Sequence, residues 1–548
     1  MPSPPRSLGR RARDMTFPSV FVNRKPPVER TPPRCYGPLQ DRYDALRAPR
    51  AERQPEDRMS FFDAVDWEGK LFNGGWVAGR GGFPAVTDAA TGHILGNISL
   101  ASTDDLASSV IIASAAQYSW ARMHPSGRAA VLRKAGSLVE EHSRVFSGWL
   151  IKEAGVPRAR AELEAAVAAE SLYASAASIE SPTTGDGTIA NTALRLTRRV
   201  PLGTVGVVAP TDYPLAVTAS VVASVIADGN AAIVVAPPRV AVSGGLVLAA
   251  ALDAAGLHPG VLTVLPGDTD LARELAAHPQ VRGISYTGTS SGAREFALAA
   301  AENSTRAVVT PPTYSALLVA PGADVPVAVA AGVSGAFTRS DRIARGCGVH
   351  LVHESLFEVY VDQLALVADT LGVGDPANVD VVIGPLLDEA ERDRVHAVVT
   401  GMVTGGARLA SGGRYQGLLY RPTVLADPTG ASLPPTDGDG GTVTGAIAVV
   451  VPWASPEEAL ELLERLGSVG FLDIVGADST VALDFADRSA ADTVTLVGGS
   501  AHAQSDDPHR DDPHRGSLAG LGDARAGGGF WTEQRIILPV GGMSHRLP

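Results

Sequence analysis

Residues 204–288 constrain the fold more than any other stretch of the sequence. Short runs rich in valine and isoleucine alternate there with longer segments whose apolar residues recur every three or four positions. Buried strands joined through helices of about 10 to 15 residues are typical of a parallel sheet covered on both faces. The pattern therefore predicts a doubly wound α/β domain. The strand-like runs are TVGVVAP, AAIVVAP, VLTVLPG and VRGISYTG, and the helical segments between them are LAVTASVVASVIADG, GGLVLAAALDAAG and DLARELAAHP.

A second α/β segment is predicted for residues 307–499. It contains the strand-like runs SALLVAPG, HLVH and AIAVVVPW and the helical segments LFEVYVDQLALVADTLG and SPEEALELLERLG. Residues 102–180 have helical spacing that fits two or three amphipathic helices, and residues 194–200 alternate as a strand does. The late segment FWTEQRIILPV also has strand character.

Residues 1–58 differ in composition from the rest of the chain. They contain 11 prolines and 12 arginines without sustained periodicity, a composition that buries too little apolar surface to offset the entropy of ordering. We interpret them as a disordered extension, and a wrongly assigned start codon is an equally good explanation of the segment.

The net charge of −13 excludes one class of partner. Residues 1–58 carry a positive excess, so the acidic excess lies in the remainder of the chain. An acidic body without a basic face argues against nucleic acid as the principal partner. We expect none.

Two cysteines, Cys35 and Cys347, are too few for a disulfide framework or a zinc cluster, which favours the reducing cytoplasm. The longest run without charge, glycine or proline is residues 215–227, shorter than the roughly 20 residues that span a bilayer, so we interpret it as a buried helix. No apolar region follows the arginines at the start, and we expect neither a secretory signal nor a membrane span.

The order of several motifs resembles the aldehyde dehydrogenase superfamily, in particular its benzaldehyde dehydrogenase branch. The resemblance runs from about residue 67 to residue 486, and it rests on WEGKLFNGGWVAG, RRVPLGTVGVVAPTDYPL, GNAAIVV, GLHPGVLTVLPG, ISYTGTSSGAR, HLVHESLFEVYV, DEAERDRVHAVV, GGARLASGG and YRPTVLAD. It implies an aldehyde dehydrogenase-like α/β fold with a Rossmann-type cofactor domain, a catalytic domain and a small oligomerisation arm. The corresponding divisions are 59–184 with 200–306 for the cofactor-type domain, 307–499 for the catalytic-type domain, 185–199 with 528–540 for the arm, and 500–527 for a flexible segment.

The family's reaction uses a cysteine nucleophile, a glutamate base and an asparagine amide that stabilises the oxyanion. The flanking register places the family's cysteine on Ala344 and its glutamate on Thr310. The asparagine of the family's P-F-N-F-P motif corresponds to Asp212. Alanine forms no thiohemiacetal, a threonine hydroxyl is no base near neutral pH, and an ionised aspartate repels an oxyanion.

The family's cofactor, NAD or NADP, depends on residues that are also replaced. The ribose-binding lysine corresponds to Val235, and the chain has no lysine after Lys152. The E-x-F-G-P motif reads Thr442 to Ala446, with Thr442 at the glutamate and Thr444 at the phenylalanine. The turn that begins Thr287, Gly288 and Thr289 is retained, either as a pyrophosphate site at a helix N-terminus or as an ordinary helix cap at Thr289 or Ser290.

Three hypotheses follow. The first is a catalytically degenerate member related to NAD(P)-dependent oxidation of aromatic aldehydes, acting as a homo-oligomer or as a partner of an active homologue. The second is an active dehydrogenase that uses Cys347 as a relocated nucleophile, with Asp212 or another carboxylate as base. The third is a protein that binds a small aromatic aldehyde or acid without turnover. We expect no metal site, because the repeat that contains His509 and His514 is typical of a solvated segment.

Overall fold

The computed structural model describes residues 62, 67–180, 188–190, 193–338, 345–427, 429, 433, 445–467, 469–476, 479–497 and 531–537. The expected extension at 1–58 lies outside the described residues, as do the whole segment 500–527 and the repeat within it that contains His509 and His514.

The helices alternate with the strands through most of the described chain. The helices are α1 Thr103–Arg122, α2 Pro125–Glu141, α3 Ser143–Ala154, α4 Arg158–Glu180, α5 Pro214–Ala227, α6 Val247–Ala254, α7 Thr269–Ala277, α8 Ser290–Glu302, α9 Val325–Val333, α10 Phe357–Thr370, α11 Glu389–Thr404, α12 Pro456–Leu466 and α13 Ser479–Arg488. The strands are β1 Leu71–Asn73, β2 Trp76–Val77, β3 Ala85–Thr87, β4 Ile94–Asn97, β5 Thr188–Ala190, β6 Ala193–Pro201, β7 Thr204–Val208, β8 Ala231–Ala236, β9 Leu262–Pro266, β10 Val281–Thr287, β11 Arg306–Thr310, β12 Thr313–Val319, β13 Arg345–His353, β14 Gly372–Val373, β15 Val381–Ile383, β16 Arg408–Ser411, β17 Tyr415–Gln416, β18 Leu419–Tyr420, β19 Thr423–Ala426, β20 Ile447–Trp453, β21 Val469–Val475, β22 Thr493–Val497 and β23 Thr532–Ile537.

The first large sheet has the order β11-β10-β7-β8-β9-β1-β2. Strands β7 to β11 are parallel and follow one another through helices, as the alternation of apolar runs predicts. Strands β1 and β2 extend the sheet antiparallel beyond β9. The predicted doubly wound α/β fold is confirmed.

Helix α5 is buried along its whole length, so the expectation of a buried rather than a membrane-spanning helix is confirmed. No helix in the described part of the chain is long and apolar enough to cross a bilayer.

The helical region 102–180 contains four helices, so the prediction of two or three is wrong. Pro125 begins α2 after the His124 cap, and α3 starts only two residues after α2 ends. Gly155, with a φ of 68°, ends α3, and Pro157 precedes α4. Such short breaks do not interrupt the apolar periodicity, and the sequence pattern alone therefore joins neighbouring helices.

The second large sheet has the order β16-β19-β20-β13-β12-β21-β22 and carries its own apolar core. All its neighbouring strands are parallel except the edge pair of β16 and β19. Its strands include the predicted runs SALLVAPG, HLVH and AIAVVVPW.

A third sheet joins distant parts of the chain. Strand β23 pairs antiparallel with β6, which pairs with β5. Trp531, just before β23, is fully buried against the residues between β7 and β8. Its backbone carbonyl accepts a hydrogen bond from Asn230 Nδ2 at 3.1 Å, and its indole N–H donates one to Ser224 Oγ of α5 at 3.2 Å. The C-terminal strand is thus anchored by one tryptophan.

Candidate functional site

The strand order of the first sheet reverses between β7 and β10. From β7 the chain proceeds through β8 to β9 on one side, then returns to β10 and β11 on the other. The two central strands are in register, with Val208 opposite Tyr286. In open α/β sheets, ligands bind beyond the carboxyl ends of the strands at such a switch point. The residues that follow β7 and β10 therefore define the candidate site.

Asp212 lies in the connection that leaves β7, and its carboxylate forms an ion pair with Arg160 of α4. The Arg160 Nε atom also lies 3.6 Å from Glu164 Oε1, one helical turn further along α4. Burial by itself would lower the pKa of the Arg160 guanidinium, but interactions with Asp212, Tyr213 and Glu164 together outweigh burial, and the pKa is raised. Arg160 is therefore a permanent cation that donates a hydrogen bond to the Asp212 side chain.

Glu164 is 1% exposed and faces the N-terminus of α5. Its Oε2 atom accepts a hydrogen bond from the backbone N–H of Ala216 at 3.5 Å, while Oε1 has no hydrogen-bond partner among the described residues. Burial raises the pKa of this carboxyl to about 7, against the opposing effect of Arg160. The cluster of Arg160, Asp212 and Glu164 thus joins one fixed cation to two acids, one of which titrates near neutral pH.

Tyr213 holds the same guanidinium from another side. Its backbone has a φ of 51° and caps α5, and its ring centroid lies 3.9 Å from the guanidinium carbon of Arg160. A cation above an aromatic face is attracted by the ring. The consecutive residues Asp212 and Tyr213 together fix the position of Arg160.

Thr310 is the last residue of β11 and lies opposite Thr287 of β10. Its carbonyl accepts a hydrogen bond from the N–H of Gly288 at 3.2 Å, and Pro311 and Pro312 follow it. The position predicted to correspond to the family's glutamate thus lies at the same edge of the sheet as the candidate site. Its side chain is a hydroxyl, which does not act as a base near neutral pH.

Ala344 lies outside the described residues. The backbone of Cys347 belongs to β13, the strand between β12 and β20 in the second sheet. Thr442 and Thr444 also lie outside the described residues, and the roles predicted for these four positions remain predictions.

Val235 lies in β8 and is fully buried in an apolar cluster with Leu265 of β9. Its backbone carbonyl is already bonded to the N–H of Ala209 at 2.9 Å. A buried methyl side chain offers no donor or acceptor for a ribose hydroxyl, so this position does not fit the sugar of a dinucleotide.

The turn after β10 contains the helix cap predicted for Thr289. The Thr289 hydroxyl accepts a hydrogen bond from the N–H of Gly292 at 3.2 Å and caps α8. The Tyr286 hydroxyl lies 3.3 Å from the Thr289 hydroxyl, and a Cβ at Gly292 would lie only 2.0 Å from it. The Tyr286 hydroxyl thus lies against the first turn of α8.

The hydroxyl of Thr287, at the end of β10, is buried and, within the described part of the chain, unpaired. Its Oγ1 atom has no hydrogen-bond partner among the described residues. Buried hydroxyls are nearly always paired with protein or water. The edge of the sheet that carries the candidate site therefore also contains an unsatisfied hydroxyl at the end of β10.

A cavity of about 490 Å³ lies elsewhere, between α3, the start of α4 and residues 375–377. Arg144 and Lys152 contribute to its walls, and none of the residues predicted from the sequence lines it. In the described part of the chain, no group of three or more histidine, cysteine, aspartate or glutamate side chains could hold a metal ion.

Sequence reasoning identified Asp212 but missed the side chains around it. The spacing of Arg160 and Glu164, four residues apart on a helix, could have indicated a pair. Nothing local in the sequence shows that this pair lies against a residue 52 positions away. Tyr286 was also missed, because its place at the site depends on the position of its hydroxyl near Thr289 in the turn that follows β10.

Comparison with known proteins gives three concordant results. A model described as the aldehyde dehydrogenase family matches residues 76–507. Vanillin dehydrogenase of Amycolatopsis sp. is 41% identical over 432 residues, which are 78% of this chain and 88% of that protein. The NAD(+) benzaldehyde dehydrogenase of Pseudomonas putida is 33% identical over 469 residues, 85% of this chain and 93% of that protein.

A solved structure agrees at the level of the fold. The NAD-dependent benzaldehyde dehydrogenase from Corynebacterium glutamicum superposes with a TM-score of 0.74 over 87% of this chain and 99% of its own, at 21% identity.

Proposed function

The chain belongs to the aldehyde dehydrogenase family, and on that premise we propose that it is a relative of the benzaldehyde and vanillin dehydrogenases that has lost cysteine-dependent aldehyde oxidation. In this proposal the protein keeps a binding site for a small aromatic molecule at the switch point of the first sheet. It transfers no hydride to NAD or NADP.

The ion pair of Arg160 with Asp212 carries this proposal. Oxidation through a thiohemiacetal places negative charge on the former carbonyl oxygen, and the family stabilises that charge with an amide. In this chain the corresponding side chain is an aspartate, which forms an ion pair with the mostly buried Arg160. The charge of the arginine is used to compensate Asp212 and is not left for an oxyanion.

The other replaced positions support the same conclusion. Ala344 supplies no nucleophile, and Thr310 at the end of β11 supplies no base for the hydrolysis of a thioester. Val235 disfavours the ribose of a dinucleotide. Removal of a covalent nucleophile alone costs about 10⁶ in turnover in enzymes whose groups act as a unit.

The test is an assay of aldehyde-dependent reduction of NAD⁺ and NADP⁺ by the purified protein, with benzaldehyde and vanillin as substrates. We expect no reduction above the rate without protein. A Cys347→Ala variant is assayed in parallel. Turnover by the wild type that this variant abolishes would replace the proposal with an active dehydrogenase that uses a relocated thiol.

A restored variant makes a negative result informative. It combines Ala344→Cys, Thr310→Glu and Asp212→Asn, which return the three groups of the family's reaction. Reduction of cofactor by this variant but not by the wild type would show that the scaffold still binds both substrates and that only the chemistry was lost.

A partnership with an active homologue is the second candidate, and the third sheet favours it. Strand β5 is the outer strand of the three-stranded sheet that also contains β6 and β23. These strands fall largely within the segments that the family resemblance assigns to an oligomerisation arm. Light scattering on the protein alone and after co-expression with a homologous vanillin dehydrogenase distinguishes a homo-oligomer from a mixed one. The proposed location is the cytoplasm, which cell fractionation tests.

A further inference from the structure

The two oxygens of Asp212 have different roles. Oδ1 is bonded to Arg160, whereas no described residue donates a hydrogen bond to Oδ2. The side chain is 45% exposed, although the arginine that holds it is mostly buried. One acceptor of fixed position is therefore presented beyond the end of β7.

A carboxylate selects a different ligand from an amide. An amide can donate an N–H to a carbonyl oxygen, whereas an ionised carboxylate only accepts hydrogen bonds. An aldehyde has no donor to offer Asp212, and a carboxylate ligand would bring a second negative charge to it. A hydroxyl group offers one donor and no charge.

The charges around Asp212 favour a neutral ligand over a cation. Arg160 already compensates Asp212, so an ammonium group would compete with a buried guanidinium for the same carboxylate. The neighbouring acid, Glu164, is turned toward the amides of α5 and is buried away from the crevice. The exposed oxygen of Asp212 therefore suits a neutral donor.

A second observation lies on the neighbouring strand. The hydroxyl of Thr287 at the end of β10 is buried without a hydrogen-bond partner among the described residues. Because β7 and β10 are adjacent and in register, Thr287 and Asp212 belong to the same edge of the sheet. An acceptor that no described residue donates to and an unsatisfied hydroxyl thus lie at the same edge of the sheet.

From this geometry we propose that the crevice binds an aromatic alcohol, whose hydroxyl donates to Asp212 Oδ2, in preference to the corresponding aldehyde or acid. The inference that the ligand is aromatic rests on the proposed function, whereas the inferred preference for an alcohol rests on the geometry of Asp212 and Arg160. The ligand is the reduced counterpart of the aldehydes for which the related dehydrogenases are named.

The test measures binding of benzyl alcohol, benzaldehyde and benzoate to the full chain by titration calorimetry. The three ligands share one ring and differ in hydrogen-bonding role and charge. We expect the alcohol to bind about tenfold more tightly than the aldehyde, the ratio that one net hydrogen bond of about 1.4 kcal/mol gives. Benzoate is expected to bind most weakly.

Two variants assign the preference to residue 212. Asp212→Asn can donate as well as accept, and it is expected to bring the ratio of alcohol to aldehyde affinity close to one. Asp212→Glu remains an acceptor and is expected to keep the alcohol ahead, which also covers the case in which the asparagine variant does not fold. Asp484→Asn removes another carboxylate paired with an arginine, that of Arg488, and is expected to leave the ratio unchanged.

Equal or tighter binding of benzaldehyde by the wild type would overturn the inference, as would absence of binding by all three ligands or a ratio unaffected by Asp212→Asn. Absence of binding by all three ligands would also contradict the aromatic-binding part of the proposed function, whereas the other two outcomes would overturn only the preference for the alcohol. Loss of aldehyde oxidation is read from cofactor reduction, and it stands or fails whichever ligand binds more tightly.

Discussion

The guanidinium carbon of Arg160 lies 3.9 Å from the ring centroid of Tyr213, while the same guanidinium pairs with the carboxylate of Asp212. Tyr213 and Ser304 are the non-glycine residues with positive φ in the described part of the chain. The left-handed conformation costs about 1 to 2 kcal/mol for an ordinary residue. The contacts of Arg160 offset that cost, so the helix cap and the charged cluster form one structural unit.

Removal of Arg160 tests this unit. Arg160→Met leaves Asp212 and the buried Glu164 without a cation, and we expect the free energy of unfolding to fall by about 3 kcal/mol, as it does when one partner of a buried ion pair is lost. Denaturation by urea at neutral pH measures the change.

A double variant separates the lost charge from the lost packing. Addition of Glu164→Gln to Arg160→Met removes the stranded carboxylate and is expected to recover part of the stability. If the double variant is as unstable as the sum of the two single variants, Arg160 contributes through packing and not through charge.

Glu153 of α3 predicts a dependence of stability on pH. Its carboxylate accepts hydrogen bonds from the N–H groups of Val242 at 3.0 Å and Ser243 at 2.6 Å, and burial raises its pKa to about 7 from an ordinary value of 4.5. Between these values the folded protein holds more protons than the unfolded chain, so the stability contributed by this group falls as the pH rises from about 4.5 to about 7. We expect the free energy of unfolding of Glu153→Gln, relative to that of the wild type, to rise by about 3 kcal/mol between pH 5 and pH 8. Parallel pH profiles of the two proteins would contradict this assignment.

His350 and Tyr360 predict the opposite trend. The Tyr360 hydroxyl lies 2.9 Å from His350 Nδ1, and burial lowers the pKa of the histidine to about 3. The unfolded chain takes up the proton near pH 6.5, so this contribution to stability is lost as the pH falls from about 6.5 toward 3. We expect the double variant His350→Leu with Tyr360→Phe to be less sensitive to acid than the wild type. Because this window overlaps that of Glu153, each effect is taken from the difference between variant and wild type.

The single variant Tyr360→Phe provides the comparison for this pair. It leaves the buried Nδ1 of His350 without its partner, and we expect a loss of about 1 to 3 kcal/mol at pH 7, more than the double variant loses. A single variant as stable as the double one would show that the hydrogen bond contributes nothing.

Trp531 is expected to anchor the C-terminal strand β23 to the domain of the first large sheet. Trp531→Ala removes a fully buried indole and is expected to lower the free energy of unfolding by about 3 to 5 kcal/mol. Trp531→Phe keeps an aromatic ring and loses the hydrogen bond to Ser224 Oγ, so about 1 kcal/mol is expected. Thermal unfolding of both variants measures the difference. An alanine variant as stable as the phenylalanine variant would mean that β23 is held by its pairing with β6 alone.

The local sequence determined the elements of the first sheet. The apolar runs that become β7 to β10, and the helices between them, were predicted because the repeat of side chains along a strand or helix is written in consecutive residues. The same reasoning predicted Thr289 as a possible helix cap, since a cap depends on its next three residues. It failed at the break between α2 and α3, where the chain turns without a change in composition.

Long-range contacts were decided by the tertiary structure alone. The sequence placed an aspartate where the resemblance expects an asparagine, but the cation that pairs with Asp212 is Arg160, 52 residues earlier. The insertion of Trp531 beside Asn230, 301 residues away, had no local signal either. The sequence by itself determined the α/β architecture and the identity of the replaced side chains, because both are properties of neighbouring residues or of aligned positions. Packing decided the electrostatics of the site, because the charge state of a side chain depends on whichever groups the fold brings within a few ångströms of it.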